Sequence, residues 1–149
     1  MLAVACLVLI STAAARPTAN RERPTAIIDE LLKAAAAEDL PRFDAAVERA
    51  RTAIESMPLG NPRNSFRRAI MIGEDVSRVW HFAITDPGGS YYDEERLPFY
   101  YDHLVADHPK YAQFIAEYAI NDHGLLFYPT RETRAFLLKE LENIRRRSP

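Results

Sequence analysis

The residues of this chain best suited to chemistry are its histidines, His81, His103, His108 and His123, because three of them directly follow an aspartate: Asp102-His103, Asp107-His108 and Asp122-His123. A carboxylate beside an imidazole can orient the ring and sharpen its use as a base, and imidazole with aspartate oxygens suits zinc or another divalent ion. His103, His108, His123 and Asp107, with Asp122 as a further oxygen donor, are therefore the candidate ligands of a divalent-metal-dependent hydrolase. Spacing argues the other way. His108 lies five positions after His103, which at about 100° per residue puts them roughly 140° apart around a helix, unlike the i,i+4 pair of a helical zinc motif. Pro109 can end the helix and let His108 swing round, and His103 with Asp107 does have i,i+4 spacing. Solvated caps and turns still account for the Asp-His pairs more simply, since neither spacing nor order matches a known ligand motif.

A second kind of chemistry is recognition. Thirteen of the fifteen aromatic residues lie from Trp80 onward, and all seven tyrosines fall between Tyr91 and Tyr128. Tyrosine offers a broad face and a polar tip at low entropic cost, so Tyr91, Tyr92, Tyr100, Tyr101, Tyr118 and Tyr128 are candidate ligand-binding residues for a protein, a peptide or a small molecule. A core with its hydroxyls at the rim is the plainer alternative. Arg63, Arg67 and Arg68 surround the start of an expected helix, where free amides already favour an anion, and form a candidate anion-binding group. Asp93-Glu94-Glu95 does not make a glycosidase pair, because consecutive carboxylates point apart in either regular element. The Gly88-Gly89-Ser90 run lacks the second flanking glycine of a nucleophile elbow, and Ser90 reads as a turn residue.

These groups need elements to hold them. Ile27, Ile28, Leu31, Leu32 and Ala35 make one apolar stripe, with Thr25 as N-cap and Asp29 and Glu30 in the first turn. After Glu38-Asp39-Leu40, Pro41 opens a second helix with Phe43, Ala46, Val47, Ala50, Ile54 and Met57 on one face, which completes an αα-hairpin. A loop over 57–63 leads to a third helix, capped by Asn64 or Ser65 and running to about Phe82, with Phe66, Ile70, Val76 and Trp80 inward. Gly73 at its centre points to close helix packing. Asp86-Pro87-Gly88-Gly89 is a turn. Shorter helices follow from Pro98 to Asp107 and from Pro109 to about Glu117, and Thr130 caps a last one with Phe136, Leu137, Leu141 and Ile144 inward. Between the last two, residues 118–128 favour a small β-hairpin around Asn121-Asp122-His123-Gly124, against a helix stopped by Gly124.

The whole chain has 149 residues, a formal net charge of −2 and 48% apolar residues, a globular composition of single-domain length. A near-neutral charge lacks the strong basic field that nucleic acid needs, and the five glycines match no nucleotide-binding motif. Residues 1–10 are apolar and 11–15 small, the pattern of a secretory signal peptide cleaved after Ala15; a buried core segment is the alternative. A membrane span needs roughly 20 apolar residues, more than this segment has. The one cysteine, Cys6, falls inside it, so the mature chain has no disulfide and no Cys-based zinc site. Residues 16–24 read as an extended leader and 25–149 as one domain. The expectation is thus a mainly α, single-domain bundle of about five or six helices, exported to a periplasm or the outside. Its expected role is non-catalytic binding through the aromatic-rich C-terminal half, without a cofactor and without nucleic acid. The alternatives are the metal-dependent hydrolase, holding a divalent metal such as zinc, and an envelope-associated structural protein held by an uncleaved N-terminal segment.

Overall fold

The computed structural model describes residues 24–85, 103–118, 121–122, 125–126 and 129–148. These residues form a mainly α-helical domain: α1 (Pro24–Ala36), α2 (Leu40–Glu55), α3 (Asn61–Thr85), α4 (103–107), α5 (Tyr111–Tyr118) and α6 (Thr130–Arg147). The stripes read from periodicity are the buried faces. Ile27, Ile28 and Leu31 of α1, Phe43, Ala46 and Val47 of α2, Phe66, Ile72, Val76 and Trp80 of α3, and Leu137 and Leu141 of α6 close one hydrophobic core. The long α3 packs chiefly on α6 and α2, and α1 packs on α2 and α6. Gly73 lies at close packing, since a Cβ there would meet Val47 Cγ2 at 3.4 Å and Leu31 Cδ1 at 3.6 Å.

Helix ends differ from the expectations in instructive ways. α1 opens at Pro24 rather than after a Thr25 cap, because proline presets the helical φ and lacks only an amide that would be unpaired anyway. Asp29 and Glu30 therefore leave the first turn and pair across the bundle, Asp29 with Arg145 and Glu30 with Arg49. The α1–α2 connection turns at Glu38, whose φ of 52° is left-handed. Asp39 caps α2 by accepting from the Arg42 amide at 3.1 Å. α3 starts at Asn61, three or four residues before the expected caps, with Pro62 in its first turn. At α6 the N-cap is Pro129, not Thr130, and no side chain caps the helix.

The small β-hairpin expected over 118–128 does not form as such. Tyr118 belongs to α5, and extended pairing shrinks to Asn121–Asp122 (β1) against Leu125–Leu126 (β2), antiparallel and two residues long on each side. Two residues per strand fall short of a stable sheet, so the described fold is a helical one. The segment 1–15 and leader residues 16–23, the helix start at Pro98, and Tyr91, Tyr92, Tyr100, Tyr101, Tyr128 and His123 all lie outside the described residues. No helix among the described residues is long and apolar enough to cross a membrane.

Candidate functional site

The site is built on Asp75, an acidic residue in the middle of α3 that is only 3% exposed. A buried carboxylate is costly unless hydrogen-bonded, and α4 with the turn after it supplies the partners. His108 Nε2 donates to Asp75 Oδ2 at 3.0 Å, and His108 is itself 4% exposed. Because a carboxylate only accepts, the Nε2 atom carries the proton in this bond. The other oxygen, Oδ1, accepts from Arg78 Nη1 at 3.2 Å and lies 3.7 Å from His103 Nε2. His103 Nε2 also lies 3.1 Å from Asp107 Oδ2, one turn further along α4. One buried aspartate thus gathers two histidines, an arginine and a second aspartate. Arg78 also approaches Glu74, one turn earlier on α3, at 3.8 Å, while Glu74 takes Arg51 at 2.6 Å. That bond and the neighbouring acids hold the Arg51 guanidinium above its usual pKa.

On the other side of His108 lies a cavity of about 300 Å³ between α3, α6 and the 108–110 turn. Arg68, Lys110 and Arg147 bring positive charge to its walls, and Glu140 and Asn143 face them; Arg68 and Glu140 approach to 3.6 Å. Phe136 and Ile144 add apolar surface. His108 Nδ1 is buried with no hydrogen-bond partner among the described residues. Such an atom costs about 1–3 kcal/mol of lost hydration.

Neither a known protein family, nor a curated protein, nor a solved structure matches this chain. The site therefore has to be read from its own geometry.

Sequence and structure agree on the His103–Asp107 pair, and the structure brings His108 to the same cluster through Asp75 rather than directly. The fourth histidine, His81, is in another Asp-His arrangement: its Nε2 meets Asp44 Oδ2 at 2.8 Å, while Ser77 donates to Asp44 Oδ1 at 2.6 Å. Of the three candidate anion-binding arginines, Arg68 lines the cavity, Arg63 turns back to the Met57 carbonyl at 3.1 Å, and Arg67 is exposed. Tyr111 is fully buried, sharing a 3.0 Å hydrogen bond with Thr133 and packing its ring on Phe114 and Phe136. Asp75, the centre of the cluster, is the residue that sequence reasoning passed over. A signal existed: it stands three residues after Ile72 and four before Val79, on the core face of its own helix, where a charge needs an explanation.

Proposed function

We propose that this chain is an exported, non-catalytic binding domain whose ligand is a small organic anion, taken up in the cavity between α3, α6 and the 108–110 turn. The observation that carries the reading is the gathering of Arg68, Lys110 and Arg147 around about 300 Å³. Three cations opposed by Glu140 alone favour a carboxylate or phosphate oxygen, and Phe136 and Ile144 suit the hydrocarbon part of such a ligand. The volume falls at the small end of ligand cavities, which suits a small guest with one acidic group. Export rests on the apolar residues 1–10 and the small residues that follow them.

Titration of the full chain with inorganic phosphate and with benzoate, followed by amide chemical shifts, tests this. Saturable shifts are expected at 68, 108–110 and 143–147, weakened about tenfold by Lys110→Glu, a change at an exposed position that leaves the core intact. Shifts that do not saturate, or that Lys110→Glu leaves unchanged, overturn the reading.

A further inference from the structure

Two of the groups around His103 Nε2 make opposite demands on it. Asp107 Oδ2, at 3.1 Å, only accepts and so needs an N–H; Arg78 Nη1, at 3.3 Å, only donates and so needs the nitrogen lone pair. One ring nitrogen cannot serve both. The same guanidinium nitrogen sits 3.2 Å from Asp75 Oδ1, so Asp75 and His103 already face a common positive charge.

We propose that Asp75, His103 and Asp107 are the ligands of one divalent metal ion of the zinc type, bound in the place that the Arg78 guanidinium now holds. A metal ion removes the conflict at His103, because it takes the lone pair of Nε2 and lets Asp107 turn from hydrogen-bond acceptor to ligand. Distances favour it. One donor atom from each of the three residues lies within 4.8 Å of the others. His103 Nε2 is 3.1 Å from Asp107 Oδ2 and 3.7 Å from Asp75 Oδ1. Those two values bracket the roughly 3.4 Å that separates tetrahedral ligands held at about 2.1 Å from zinc.

The support around the three donors is also that of a metal site. His108 donates to Asp75 Oδ2, which orients the carboxylate and leaves Oδ1 to face His103. Arg78 has somewhere to go: its side chain is 41% exposed, and Glu74 Oε2 lies 3.8 Å from its Nη2. One imidazole and two carboxylates leave a fourth tetrahedral position for water. Asp75 and Asp107 together match the charge of the dication.

The test is zinc uptake by the full, untagged chain, measured by equilibrium dialysis and by the urea midpoint with and without the metal. About one zinc per chain is expected, with a midpoint that rises as zinc is added. His103→Ala and Asp107→Asn, both at partly exposed positions, are each expected to weaken uptake at least tenfold and to abolish the rise in midpoint. Arg78→Met, which removes the competing cation, is expected to tighten uptake about tenfold. Asp75 is left intact in these variants, since its loss would strand His108 Nε2 in the core. Absence of stoichiometric zinc in the wild-type chain overturns the proposal whatever Arg78→Met does, and so does zinc held equally well by His103→Ala. Lys110→Glu is expected to leave zinc uptake unchanged, so that failure of the anion cavity and failure of the metal site give different results.

Discussion

At the scale of single residues, α3 carries two positions where local preference gives way to packing. Gly73 costs the helix about 1 kcal/mol relative to alanine, yet it faces Leu31 of α1 and Val47 of α2. The space left is enough for a methyl group and no more, with Val47 and Leu31 already at contact distance. Gly73→Ala is therefore expected to stabilise the fold by about 0.5–1 kcal/mol through helix propensity, and Gly73→Leu to destabilise it by about 1–3 kcal/mol through overpacking. Urea unfolding of the two variants checks both signs. Two residues on, Asp75 exchanges hydration for hydrogen bonds from His108 and Arg78. The same exchange explains why one acidic residue organises so much of its surroundings: every partner that keeps it satisfied is drawn from a different turn or element.

At the scale of elements, charge pairs tie the last helix to α1 and to the turn that follows it. Arg134 of α6 grips the Glu38 carboxylate with two bonds of 3.0 and 2.7 Å and lies 4.4 Å above the Trp80 ring centre. Glu38 is thereby held in its left-handed turn, a conformation usually left to glycine. Arg145 grips Asp29 of α1 in the same bidentate manner, at 2.6 and 3.0 Å. The Arg145 hydrogen bond holds the Asp29 carboxyl below its usual pKa; burial opposes the shift, and the charges of Arg145 and Lys33 add to it. A depressed carboxylate pKa contributes stability above the ordinary value of about 4 and loses it as pH falls through the folded value. Asp29→Asn is accordingly expected to lower the urea midpoint at pH 7, and the gap from wild type is expected to close below the ordinary carboxylate range. A gap that stays constant with pH would show that the pair acts through packing alone. Both partners are partly open to solvent, so the effect should also shrink with added salt.

At the scale of the whole molecule, the described fold begins at Pro24, downstream of the expected cleavage after Ala15. Cleavage there takes away Cys6, the one cysteine of the chain, and is expected to leave a protein whose urea midpoint is indifferent to reductant. Mass measurement of exported material should find Arg16 first; exported protein that begins at Met1 contradicts cleavage and favours the uncleaved envelope anchor. Periodicity alone determined most of the architecture, from the αα-hairpin to the inward faces of α3 and α6, because an amphipathic stripe is a local property that burial simply completes. The His103–Asp107 pair was legible for the same reason, being one turn of one helix. Helix starts were less so, since Pro24 and Pro129 displaced the expected Thr25 and Thr130 caps. What only the tertiary structure decided is the meeting of Asp75 with His108, 33 residues away, and of Arg68 on α3 with Glu140 on α6. Spacing cannot carry such pairs, because they depend on how two helices are rotated and shifted against each other once their apolar faces have closed.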